Sequence, residues 1–191
     1  MANSRHWFPG GRAEAIAVDG SEVVAQNIAK WNQATGKWEA LGGGVDDDVF
    51  ALVIDGNSHV YAGGNLTRGF NPDGATVFIW RIGKWNAQQS VWEPLGEGVF
   101  GPGSNNVTAL AVDANGDVFV GRDFDGVYNP GRIAVNANAM ARWNGTSWSP
   151  LGTHMLDVSN KANGYVIISL SGFLNPAANQ NGPAAAQGRC C

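Results

Sequence analysis

The chain has 191 residues, among them 27 Gly and 8 Trp, with 12 Lys+Arg against 16 Asp+Glu for a net charge of -4. Gly is about double its usual share of roughly 7%, and the charged fraction of 15% lies below the usual figure of about 25%. The acidic balance excludes a nucleic-acid binder built on a basic face. The longest apolar runs, such as 165–170, fall far short of the roughly 20 residues of a spanning helix. A hydrophobic content of 44% argues against disorder. This length bounds the molecule to one domain or two small ones with a real core.

In chain order, the first phrase is Trp7-Phe8-Pro9-Gly10-Gly11, whose meaning comes from later copies. Next come Ala15-Ile16-Ala17-Val18-Asp19, then Trp31-Asn32 and Trp38-Glu39-Ala40-Leu41-Gly42. A fuller unit follows: Val49-Phe50-Ala51-Leu52-Val53-Ile54-Asp55, Val60-Tyr61-Ala62-Gly63, Trp85-Asn86, and Trp92-Glu93-Pro94-Leu95-Gly96. The third copy reads Val107-Thr108-Ala109-Leu110-Ala111-Val112-Asp113, Val118-Phe119-Val120-Gly121, Trp143-Asn144, and Trp148-Ser149-Pro150-Leu151-Gly152. The Leu-Gly pairs lie 54 and 56 residues apart, so several phrases recur in one order at one period.

Each unit carries four strand signals separated by turn residues, in the third copy at 107–113, 117–124, 139–144 and 148–152. The first two are joined by Ala114-Asn115-Gly116, where Asn-Gly is expected to supply positive φ. A four-stranded meander of this size cannot bury both faces alone, so the units must stack, and radial stacking is a β-propeller. No 3.6-residue apolar period is sustained. The expected fold is therefore all-β, a small propeller of about four blades forming a single domain over 1–191. The blades fall at about 13–45, 49–99 and 107–153, with a fourth from 157–191 plus 5–11. Residues 164–173 resemble a second strand, and Trp7–Gly11 reads as the missing last strand. The N-terminal strand is thus expected to close the last blade, or a neighbouring chain to complete it.

These phrases resemble kelch-type and galactose-oxidase-central-domain-type propeller repeats, and in particular the Trp/Gly repeats of secreted bacterial propellers and fungal cortical-marker proteins. The resemblance implies the fold; such propellers host unrelated functions. The copper oxidase activity that accompanies it elsewhere needs a Tyr–Cys crosslink and paired histidines. This chain has three Tyr, two terminal Cys and the scattered His6, His59 and His154, so that activity does not carry over. No nucleophile elbow, zinc-binding helix motif or phosphate loop occurs. The expectation is a non-catalytic module without a cofactor.

Alternating strand direction places the longer connections, 65–75, 96–106, 124–138, 153–163 and 175–183, on one face, where binding residues tend to sit. The phrase Phe70-Asn71-Pro72 returns as Tyr128-Asn129-Pro130 and Leu174-Asn175-Pro176. Phe70, Asn71, Tyr128 and Asn129, with Trp80 (which breaks the repeat) and Arg132, are the candidate ligand residues. The recurring Trp positions are expected in packing between blades. Asp46-Asp47-Asp48 is an acidic cluster weighed as a cation site and read as a solvated loop. Asn65, Asn106 and Asn144 head N-glycosylation sequons, and adjacent Cys190 and Cys191 suit an interchain disulfide better than a strained ring. Met1–Trp7 contains no leader-like apolar run. Low charge and abundant Asn and Trp point to an extracellular or cell-surface protein. Its expected partner is a protein, a glycan or copies of itself. The alternatives are a structural subunit of a homopolymer and a hydrolase acting on polysaccharide.

Overall fold

The computed structural model describes residues 12–16, 22–101, 106–121 and 124–151, with side chains from residue 25 onward. The protein is all-β, its small antiparallel sheets arranged as a four-bladed β-propeller, and no helix occurs among the described residues. The blade expected from 157–191 and 5–11 lies outside them, as do Cys190, Cys191 and the Leu174-Asn175-Pro176 phrase.

The second unit begins with β5 (Gly44–Val45) and continues through β6 (Val49–Ile54) and β7 (Val60–Gly64). It then runs through β8 (Arg68–Phe70), β9 (Thr76–Phe78), β10 (Ile82–Asn86) and β11 (Val91–Pro94). The third repeats this plan with β12 (Val99–Phe100), β13 (Ala109–Val112) and β14 (Val118–Gly121). It ends with β15 (Gly126–Asn129), β16 (Ile133–Asn136), β17 (Met140–Trp143) and β18 (Trp148–Pro150). Two complete blades result, β6-β7-β10-β11 and β13-β14-β17-β18, all antiparallel, on the four strand signals of each repeat.

Turn chemistry sets the first hairpin of each blade. Asp55 and Asp113 occupy equivalent places, each carboxylate accepting two backbone N–H bonds at 2.9 Å: from Asn57 and His59, and from Asn115 and Asp117. The left-handed residue is the third of the loop, Ser58 (φ 66) in one and Gly116 (φ 86) in the other. Asn115 is not left-handed, so the Asn-Gly expectation is corrected to Gly116 alone. The Asn of each Trp-Asn phrase caps the opposite hairpin. Asn32, Asn86 and Asn144 each accept two successive backbone N–H bonds across their turns.

The connections between second and third strands are strands rather than loops. β8–β9 and β15–β16 are short hairpins that leave their blades and pair with β5 and β12. Their Gly-, Asn- and Pro-rich text carries the closing turn, while pairing to the preceding connection supplies the order. In the first unit β1 (Arg12–Ile16) and β2 (Glu22–Gln26) form a hairpin in the β5-β8-β9 sheet. β3 (Ala29–Asn32) and β4 (Lys37–Ala40) pair separately. Only Asn27 and Ile28 link the two hairpins. With Asn27 left-handed (φ 58) and Ile28 N–H bonding the Gln26 carbonyl at 2.8 Å, the chain turns too sharply to continue one sheet.

The core consists of two clusters, each spanning neighbouring units. Trp92 packs with Leu41, Val45, Leu66 and Ile79, and Trp148 with Leu95, Val99, Phe124 and Val127. Each indole Nε1 donates to the Leu carbonyl of the preceding unit, Trp92 to Leu41 at 2.9 Å and Trp148 to Leu95 at 2.8 Å. A buried Trp that also satisfies its N–H combines a large apolar area with a directional bond. The recurring Trp-x-x-Leu-Gly is thus both halves of one inter-unit joint.

Candidate ligand-binding cleft

The cleft lies where the second and third units meet, on the face of the longer connections. Between β9 and β10 the chain kinks at Arg81 (φ 71), whose N–H bonds the Leu66 carbonyl at 2.7 Å. Ile79 and Ile82 are buried by this kink, while Trp80 between them turns outward and is 46% exposed. The Trp80 carbonyl accepts the Val99 N–H at 3.2 Å, so its backbone is anchored to β12 although its ring is half exposed. Phe78, 55% exposed, stacks on Trp80 with ring centroids 6.0 Å apart and planes 15° apart. The opposite wall is the β15–β16 hairpin. There the Tyr128 ring lies 4.4 Å from that of Phe100, and the Arg132 guanidinium sits 5.6 Å over the Tyr128 ring.

Trp80, Arg81, Glu97, Phe100, Tyr128 and Arg132 line a cavity of about 280 Å³. A second cavity of about 300 Å³ adjoins it, lined by Phe78 and Pro94 and sharing Trp80 and Glu97. Glu97 accepts the N–H groups of Gly131 and Arg132, both at 3.1 Å, and lies 3.7 Å from Arg132 Nε. Arg81 donates through Nη1 to the Asn65 carbonyl at 2.5 Å and its Oδ1 at 2.8 Å, with no carboxylate partner among the described residues. Two arginines and one glutamate therefore line the cleft, the Arg81 guanidinium turned to Asn65 and that of Arg132 lying beside Glu97. Exposed aromatic faces with a few fixed polar groups are the makings of a small-ligand site.

Of the six ligand residues expected from sequence, Trp80, Tyr128 and Arg132 converge here. Phe70 and Asn71 sit at the corresponding place one unit earlier. The two asparagines act as latches from each hairpin tip to the last strand of the blade. Asn71 Oδ1 accepts Trp92 N–H at 2.7 Å, and Asn129 Oδ1 accepts Trp148 N–H at 2.5 Å. Phe78, Arg81, Glu97 and Phe100 were not anticipated. A usable signal was departure from the repeat. Register places Asn136 and Asn138 in the third unit where the second has Phe78 and Trp80, and Glu97 stands where the first Leu-Gly phrase has Gly43.

The acidic cluster is bound up in the fold. Asp46 accepts bonds from Thr67 N–H (2.7 Å), Thr67 Oγ1 (2.5 Å) and Arg68 N–H (2.9 Å). Burial alone would raise its carboxyl pKa, but the Thr67 and Arg68 bonds outweigh that and hold it below the ordinary value. Asp47 accepts from Asn65 Nδ2 at 2.7 Å and from the N–H of Asp48. Among the described residues no group of three or more His, Cys, Asp or Glu side chains is placed to hold a metal. Of the sequons, Asn65 is engaged through this bond and the Arg81 contact. Asn106 buries its Oδ1 without a hydrogen-bond partner among the described residues, and Asn144 is exposed on its turn. His59 takes the Ala87 N–H at 3.1 Å on Nδ1, at the opposite end of the blade. No protein-family model and no curated protein matches the chain.

Proposed function

We propose that the protein is a non-catalytic β-propeller module, extracellular or at the cell surface, that binds a glycan or protein partner on the face of its longer connections. One observation carries this reading. Trp80, Tyr128 and Arg132, selected from sequence as ligand residues, line a single cleft between two units. Half-exposed aromatic rings anchored through buried neighbours are what a binding surface requires, and their polar companions fix orientation. The kelch-like character of the repeats is in keeping with such a role. A glycan array probed with the wild-type chain and with Trp80→Ala tests the proposal. Bound glycans lost in the variant, at unchanged melting temperature, support it. Binding that survives both Trp80→Ala and Tyr128→Ala moves the site elsewhere.

A second reading, a subunit of a homopolymeric assembly, draws on the first unit. Trp38 is the counterpart of Trp92 and Trp148, yet it is 39% exposed against their 2% and 3%. No Leu-Gly carbonyl meets its indole among the described residues.

A further inference from the structure

We propose that the cleft takes an acidic glycan, a chain of pyranose rings bearing carboxylates, with Trp80 as a shared wall between two adjoining subsites and Arg132 as the carboxylate-reading group. The inference rests on the binding role proposed above and narrows it to a ligand class.

Three observations support it. First, the two cavities share Trp80 and Glu97, so a linear ligand can run past one indole and meet Phe78 on one side and Tyr128 on the other. Ring faces of this kind suit the flat C–H face of a pyranose. Second, the main chain around the cleft is already bonded. Tyr128 N–H donates to the Gly98 carbonyl at 2.9 Å, the Tyr128 carbonyl accepts Glu97 N–H at 2.8 Å, and the Trp80 carbonyl accepts Val99 N–H. At the wall shared by Trp80 and Tyr128 these pairings occupy the main chain, so a ligand there is read chiefly by side chains. Third, the charge is complementary. Arg81 and Arg132 outnumber Glu97 in the lining. Glu97 gives one oxygen to the Gly131 and Arg132 N–H groups while the other lies 3.7 Å from Arg132 Nε, a loose pairing with which a ligand carboxylate can compete.

Arg132 also occupies a place where its backbone gains nothing from being arginine. The β8–β9 and β15–β16 hairpins close on Asn71–Ala75 and Asn129–Ile133, each around a three-residue loop. The third loop residue is left-handed in both, Gly74 at φ 86 and Arg132 at φ 57. Glycine adopts that conformation freely and arginine does not, and backbone strain of this sort concentrates at ligand sites. The side chain held there lies over Tyr128 and projects into the cleft.

Isothermal titration with tetragalacturonate, its fully methyl-esterified form and tetraglutamate separates the outcomes, using the wild-type chain, Arg132→Gly and Trp80→Ala. Expected are salt-sensitive binding of tetragalacturonate and weakening by about tenfold or more on esterification or in Arg132→Gly. Arg132→Gly should melt no lower than wild type, so misfolding cannot account for the loss. Equal affinity for the esterified form overturns the acidic-glycan inference and leaves the binding role intact, provided Trp80→Ala abolishes it. Preferential binding of tetraglutamate assigns the cleft to acidic peptides and overturns it too. Absence of binding to all three overturns the inference, and the glycan array then decides the broader role on its own.

Discussion

Left-handed backbone at a non-glycine residue costs about 1–2 kcal/mol, and Ser58 bears that cost in a turn whose twin uses Gly116. The two turns share their Asp cap and their hydrogen bonds and differ within the loop at Gly56 against Ala114 and at the left-handed position, Ser58 against Gly116. Glycine also gives the unfolded chain more freedom, which offsets part of the gain. Ser58→Gly is therefore expected to stabilise by about 0.5–1 kcal/mol, raising the melting temperature by about 1–4 °C. Gly116→Ser should lower it by a similar amount. Thermal melts of the two variants check both signs. Arg132 bears the same conformation, but its side chain engages Tyr128 and Glu97, whereas Ser58 has no such engagement. Such strain is invisible in sequence until a repeat copy shows what the position would otherwise hold.

At the scale of elements, the tie between β5 and β8 is as informative as the blades. The segment after β5 is held by Asp46 through three donors from Thr67 and Arg68, which keeps the β8–β9 hairpin folded against the preceding connection. Because the folded-state pKa of Asp46 is depressed, its stabilisation is present above its unfolded pKa of about 3.9 and is lost as pH falls through the folded value. Asp46→Asn should thus be less stable than wild type at pH 7. The gap in melting temperature should narrow as pH drops below about 4. A constant gap from pH 7 to pH 2.5 would contradict this role for the carboxylate. The blade strands were legible because their apolar phrases recur with turn signals between them. The β8–β9 and β15–β16 hairpins were not, because strands of three or four residues around Asn-Pro read as loop. Their order comes from pairing with residues more than twenty positions away. Half of the cleft was legible for a related reason. Trp80 and Tyr128 stand out as aromatic residues in connections, while Glu97 and Phe100 acquire meaning only when β12 is laid beside β15.

For the whole molecule, the two cores show that stability resides between units as much as within them. Trp92 and Trp148 are each sealed by a neighbour, while Trp31 and Trp38 pack edge-to-face on one another at 5.4 Å and stay half exposed. The β6 residues Phe50, Leu52 and Ile54 are likewise exposed. If the Trp31–Trp38 pair joins copies of the chain, sedimentation velocity should show mass rising with concentration. Trp38→Ser should reduce that association without lowering the melting temperature of the rest. A concentration-independent monomer would remove the assembly reading and leave the cleft as the functional feature.

The indole-to-carbonyl joint has a direction: Trp92 reaches back 51 residues to Leu41, and Trp148 reaches back 53 to Leu95. Synthesis proceeds from the N-terminus, so each of these Leu carbonyls leaves the ribosome with only its local bond, from Gly44 or Gly98, and with a flank of the adjoining core bare. Each unit is sealed only when the tryptophan of its successor has been made. The newest unit is always the least finished, and the chain matures as a ratchet in which every addition locks the piece before it.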